Sequence, residues 1–255
     1  MSDVFLTDVT LREHGQNVPV EGLDAFTPQA RADLARALRD AGFTRLEVMS
    51  CVNPRIAPAM SRGQLQELLD LMGPMKGVEI VTLVPNVRGY EVFGEMGLAR
   101  RGHTVGVFHS AMDEHNVANL GKTVAQTVQQ LDEIGRRAAA DGVRLSSYVS
   151  AAFGYDDGGR IVTVDDAALA DQVRHLFDIG SDQVTLSDLQ GLADEDETAR
   201  VWDRVLNLDG GRYADGLGYH PHHAIPQRSV DRIEAAYRAG VRRFDASLGA
   251  AGGCV

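Results

Sequence analysis

The sequence predicts an α/β fold of one kind, a closed (β/α)8 TIM barrel formed by a single domain over residues 1–255. Three observations carry this prediction. Short β-branched apolar runs alternate with amphipathic helical stretches, the pattern of a parallel sheet. Eight such runs can be counted within 255 residues, the number and length that suit one barrel. No glycine-rich phosphate fingerprint follows the first run, which weighs against an open dinucleotide-binding sheet.

The strands are expected near residues 4–9, 45–49, 79–83, 104–108, 144–149, 183–186, 217–220 and 243–246. The first long helix opens with Thr27 as cap and Pro28 in its first turn, and places Ala30, Leu34, Leu38 and Ala41 on one face. The longest helical pattern, residues 123–140, repeats Val124, Val128, Leu131, Ile134 and Ala138. A later helix starts near Val164 and Asp165 and buries Leu169, Val173 and Leu176. The last starts at Pro226 and presents Val230, Ile233 and Tyr237. Gly42, Gly97, Gly142, Gly180 and Gly240 follow helical stretches, where a left-handed residue stops a helix. After the eighth strand the chain as given has only a short Gly-rich tail, so the eighth helix of a barrel is expected to be absent.

Composition narrows the partners. Acidic residues outnumber basic ones 36 to 25, for a net charge of −11. That balance argues against nucleic acid, whose phosphates need a basic footprint. There is no apolar run of membrane-spanning length and no signal peptide at the N-terminus. Two cysteines, Cys51 and Cys254, form no CxxC, and the reading is a cytoplasmic protein acting on a small molecule.

Barrel chemistry sits at the C-terminal strand ends. There the sharpest signal is His220-Pro221-His222. Residues i and i+2 of a strand share a face, so two imidazoles can meet one ion. A carboxylate from another strand end, Glu13, would complete a site of two imidazoles and one carboxylate. Solvated loop histidines are the plain alternative. Arg12 beside Glu13 is either a surface ion pair or a cation that holds a developing oxyanion. Glu47 lies inside the apolar run 46–49, either as a site carboxylate or as a buried partner of Arg45 or another core cation. Asp188, after the sixth strand, carries the same two readings. Cys254 lies in a flexible glycine-rich segment.

These residues have a resemblance. The segment Thr7-Asp8-Val9-Thr10-Leu11-Arg12-Glu13-His14-Gly15-Gln16 resembles the first-strand signature of the DRE-TIM metallolyases. Within that superfamily the chain is most similar to the 3-hydroxy-3-methylglutaryl-CoA lyases. The stretches that carry the likeness, in family order, are residues 12–17, 46–54, 84–89, 148–150, 186–191, 220–222 and 252–254. The resemblance implies a divalent ion, Mg²⁺ or Mn²⁺, bound by Glu13, His220 and His222. It implies that Arg12 stabilises an enolate and that Cys254 assists proton transfer from a mobile loop. Glu47, Asp188 and His220 are implied as further catalytic residues, and Gln16, Asn17 and Tyr148 as substrate-binding ones. His14 is a second candidate proton donor. Departures from the family pattern are Glu13 for Asp, His14 for Gly and His223 for Asp. The implied activity is carbon–carbon cleavage of a 3-hydroxyacyl-CoA. An aldolase or Claisen-type synthase acting on a free hydroxy-oxoacid, and a non-catalytic paralogue, are the competing readings. Arg55, Arg88, Lys122 and Arg160 could form a basic rim for CoA phosphates. A homodimer is also expected, because an uncovered eighth strand leaves apolar surface needing a partner.

Overall fold

A computed structural model describes residues 4–17, 26–55, 59–222 and 226–250. Ten strands are described: β1 (Phe5–Asp8), β2 (Arg45–Ser50), β3 (Glu79–Leu83), β4 (Thr104–Ser110), β5 (Leu145–Ser150), β6 (Tyr155–Asp157), β7 (Arg160–Val162), β8 (Ser181–Asp188), β9 (Leu217–Pro221) and β10 (Arg243–Ala246). All but β6 and β7 are parallel and close into an eight-stranded barrel. β1 closes the ring, pairing Phe5 with Arg243 on one side and Asp8 with Leu46 on the other. The eight barrel strands fall where the sequence places them.

The helices are α1 (Thr10–Asn17), α2 (Pro28–Asp40), α3 (Arg62–Met72), α4 (Val87–Glu95), α5 (Asp113–Leu120), α6 (Val124–Asp141), α7 (Asp166–Asp178), α8 (Glu195–Leu206) and α9 (Pro226–Ala239). Their starts are written locally. Thr27 accepts from the Ala30 amide, and Pro28 occupies the first turn. Ser61 with Gln64, and Thr123 with Gln126, form capping boxes. The five glycines expected to end helices all have positive φ.

The core lies between barrel and helices. Outward residues such as Leu46, Val48, Val184, Leu186 and Tyr219 pack there with Trp202 and Phe153. Tyr219 stands edge-on to Trp202, 5.5 Å between ring centres, and 5.4 Å from Phe153.

Two helix faces differ from expectation. α2 buries Arg31, Ala32, Ala35 and Leu38, whereas Ala41 is exposed and Ala30 half-buried. Several alanines offer almost equivalent stripes, and packing selects one of them. On α9 Val230 and Tyr237 are exposed at 55% and 37%, while Ser229, Arg232 and Ala236 are buried. An arginine in the buried stripe inverts the apolar signal.

Two further elements are absent from the sequence reading. α1 begins immediately after β1, so Arg12 and Glu13 sit in a first helical turn and not in a loop. After β5, β6 and β7 pair antiparallel as a separate hairpin. Its signal was available in Gly158-Gly159, both with positive φ between two short strands. Beyond β10 the described residues contain only the single turn Leu248–Ala250.

Candidate metal centre and active site

The site forms where α1 leaves the barrel beside the ends of β9 and β10. Asp8 anchors the corner: its carboxylate accepts from the Thr10 amide at 3.0 Å and from the Thr10 hydroxyl at 2.9 Å. The same hydroxyl accepts from the Leu248 amide at 2.8 Å, stitching the segment after β10 to the start of α1. Glu13 then lies in the first turn of α1, where the helix dipole favours a carboxylate.

Ligand atoms of Glu13, His220 and His222 all lie within 4.8 Å of one another. His220 Nε2 is 2.7 Å from His222 Nε2 and 3.7 Å from Glu13 Oε1. Behind His220, Asp245 Oδ2 sits 2.9 Å from Nδ1. That contact fixes the tautomer: Nδ1 carries the proton and the Nε2 lone pair points to the cluster. Two imidazole nitrogens and a carboxylate oxygen aimed at one point, with the outer nitrogen of one ring held by a carboxylate, are a donor set that fits a divalent ion.

Arg12 borders this group. It pairs with Glu13 and donates from Nε to Glu47 Oε2 at 2.8 Å. Glu47 is fully buried, and the guanidinium of Arg12 is its cation; Arg45 instead pairs with Glu79 at 2.8 Å. A Cβ at Gly106 would crowd Val81 Cγ1 at 3.0 Å and touch Glu47 Oε1 at an ordinary 3.6 Å. Tyr148 completes the wall, its ring edge-on to His220 with centres 6.0 Å apart.

The charges sort themselves by environment. Burial opposes ionisation of Glu13, but Arg12 and the two histidines outweigh it and hold its carboxyl below the usual range. Burial raises Glu47, partly offset by Arg12. Burial works against a charged His220, yet the Asp245 hydrogen bond and the Asp245 and Glu13 charges leave it raised. Burial also lifts Tyr148 far above an ordinary phenol, reinforced by Asp245 and Glu47.

Arg12, Glu13, Glu47, Tyr148, His220 and His222 are thus brought together. Asp188 is not joined to them by its side chain. Its Oδ1 accepts from the Leu192 amide at 3.1 Å, and its Oδ2 lies 3.7 Å from Arg232 Nε. It shares the outward register of Val184 and Leu186, and burial pushes its carboxyl up to about 6. Gln16, Asn17 and His14 lie on α1, but their side chains are outside the described residues, as are His223 and Cys254 altogether. Cys51 is a buried free thiol whose pKa burial pushes up to about 12. Sequence reasoning missed the role of Asp245. The available signal was its register, two residues beyond Arg243 on the strand beside His220.

Beyond the ends of β2, β3 and β4, beside α3, α4 and α6, lies a cavity of about 610 Å³ with apolar walls including Leu65, Pro85 and Phe108. Of the four expected rim cations, Arg88 and Lys122 line it and Arg55 does not; Arg62 joins them, and both Arg62 and Arg88 are paired with Glu95. Arg160 instead pairs with Glu114 and Asp157 on the hairpin.

Known proteins share the family and the fold of this chain. The HMGL-like family model matches residues 3–254. The chain belongs to the HMGL-like family. An (R)-citramalyl-CoA lyase of Chloroflexus aurantiacus is 30% identical over 100% of this chain and 78% of its own length. A hydroxymethylglutaryl-CoA lyase of Pseudomonas mevalonii is 27% identical over 88% of this chain and 70% of its own. The solved structure of an HMG-CoA lyase from Acinetobacter baumannii, in complex with coenzyme A and 3-methylmalate, superposes with a TM-score of 0.85. It is 27% identical and covers 99% of this chain and 77% of that one. Among the described residues, no helix of this HMGL-like chain is long and apolar enough to cross a membrane.

Proposed function

We propose that this HMGL-like chain is a divalent-metal-dependent carbon–carbon lyase that cleaves a 3-hydroxyacyl-CoA thioester through an enolate. The observation that carries the reading is the convergence of Glu13, His220 and His222 beside Arg12, whose side chain is 11% exposed. The kinship with two kinds of CoA lyase supports the thioester class.

Glu13, His220 and His222 would hold Mn²⁺ or Mg²⁺, and such an ion supplies a Lewis acid that makes a bound hydroxyl more acidic. With Nδ1 on Asp245 and Nε2 turned to the cluster, His220 has no nitrogen left for proton transfer, so its part is to hold the ion. The 3-hydroxyl proton passes to water, and the alkoxide so formed collapses to a carbonyl as the carbon–carbon bond breaks. The C2–C3 bond breaks, and its electron pair moves into the thioester as an enolate. Arg12 faces that oxyanion, oriented from behind by Glu47, so little reorganisation is needed as charge develops. Cys254 delivers a proton to C2 and completes an acetyl thioester. Gln16, Asn17 and Tyr148 contact the substrate. The apolar cavity rimmed by Arg62, Arg88 and Lys122 suits a pantetheine arm and its phosphates.

We place the enzyme in the cytoplasm as a homodimer. Exposed Val4, Phe5 and Leu6 at 46%, 51% and 44% support a covered face.

Divalent-metal content is measured first, with Glu13→Ala and His222→Ala as controls. The loaded enzyme is then given 3-hydroxy-3-methylglutaryl-CoA, citramalyl-CoA and the corresponding free acids. Acetyl-CoA released from a thioester only, and lost in both variants, is the expected result. Cleavage of free acids alone moves the reading to an aldolase, and the absence of bound metal ends it.

A further inference from the structure

The inner stripe of α9 holds an arginine with an unusual set of partners. Arg232 is only 3% exposed. Burying a guanidinium is costly unless its donors are met. Here Nη1 donates to the carbonyls of Gly191 and Ala193 at 2.7 and 3.1 Å, and Nη2 to the carbonyl of His222 at 3.1 Å. Nε faces Asp188, 3.7 Å from Oδ2, and among the described residues neither of these two atoms has a hydrogen-bond partner. One side chain therefore joins the loop after β8 to the segment after β9.

His222 needs such support. The β8–β9 ladder ends at the pair Asp188 and Pro221, so His222 lies just beyond the sheet. Its amide donates to the Asp188 carbonyl at 3.1 Å, and its carbonyl accepts from Arg232. His220 is held differently: it lies within β9, and its ring is fixed by Asp245. The ring of His220 is fixed by Asp245, and the main chain of His222 is held at both its amide and its carbonyl.

We propose that Arg232 is a positioning residue for the metal centre, its guanidinium fork fixing the main chain of His222 so that both imidazoles present Nε2 to one point. Asp188 serves the same device from the other side, through its carbonyl on His222 and its carboxylate on Arg232. Lysine could keep the charge opposite Asp188. A single ammonium cannot reproduce the planar fork that reaches three carbonyls at once.

This inference rests on reading His220 and His222 as ion ligands, and the experiment separates the two. Full-length wild type, Arg232→Lys, Arg232→Gln and Trp202→Phe are compared. Trp202→Phe perturbs the same buried layer without touching His222. Each is titrated with Mn²⁺, and imidazole ¹⁵N spectra are recorded without metal. Arg232→Lys and Arg232→Gln are expected to weaken Mn²⁺ binding by about 10–100-fold, as loss of an outer-shell partner does. They should move the His222 resonances and leave the Nδ1 proton of His220, held by Asp245, in place. Trp202→Phe should change thermal stability alone. Wild-type Mn²⁺ affinity with unmoved His222 resonances in Arg232→Lys overturns the proposal, and so does equal weakening in Trp202→Phe. If the wild type binds no Mn²⁺, the ligand reading fails. The metal-free spectra then decide for Arg232: a displaced His222 upholds the clamp, and an unmoved one overturns it.

Discussion

Acidification from pH 7 to pH 4 should unload stability through two buried histidines outside the active site. His109 is fully buried, with Nε2 3.2 Å from the Gln172 carbonyl oxygen. His103 is 6% exposed, with Nδ1 2.9 Å from the Thr82 hydroxyl. Burial lowers both to about 4, with Arg101 adding to the effect at His103 and the Gln172 contact opposing it at His109. Each binds a proton in the unfolded chain near 6.5 and in the folded one only near 4. Between those values the unfolded state holds more protons, so stability falls as pH falls. The full shift of about 2.5 units corresponds to about 3 kcal/mol for each histidine. Asp188 acts in the opposite direction. Its carboxyl rises from 3.8 to about 6, so in that window the folded state holds the extra proton and stability grows on acidification. Its offset is about 2–3 kcal/mol, leaving these three groups a net loss of about 4 kcal/mol at pH 4. Urea unfolding at pH 7 and pH 4 gives the measurement, with His109→Asn as the comparison because its amide can still donate to Gln172. The variant should lose about 3 kcal/mol less than wild type between the two pH values. Equal losses in both proteins would refute the argument that His109 is held neutral by burial.

Three further outcomes follow from the geometry. Asp245→Asn removes the carboxylate behind His220 and should weaken Mn²⁺ binding by about 10–100-fold, read by calorimetric titration. Gly218→Ala should cost about 1–3 kcal/mol in urea unfolding, because its Cβ would stand 2.8 Å from Thr185 Oγ1 inside the barrel. Trp202→Ala should cost about 3–5 kcal/mol in the same assay, since a fully buried indole packed on Phe153 and Tyr219 leaves a cavity.

Much of the molecule was legible in the order of its residues. Strand alternation and turn glycines are local signals, written in side-chain periodicity and backbone freedom, and they placed all eight barrel strands. The two-residue period of a strand was enough to pair His220 with His222, although His222 lies one residue beyond β9 and is held there by distant segments. Arg12 and Glu13 needed only their position after the first strand. Other features were not local. Glu47 could have paired with several cations, and only barrel closure brought Arg12 to it while giving Arg45 to Glu79. The α9 pattern favoured Val230 and Tyr237, and the partners that allow Arg232 to be buried come from loops 10 to 41 residues away. Asp188 read as a site carboxylate, yet strand register turned its side chain toward the helix layer. Periodicity along the chain determined which elements form and which strand ends carry chemistry. Which side chains meet, and which of two carboxylates faces the site, depended on closure and register, because a buried charge is tolerated only where distant segments supply its partner.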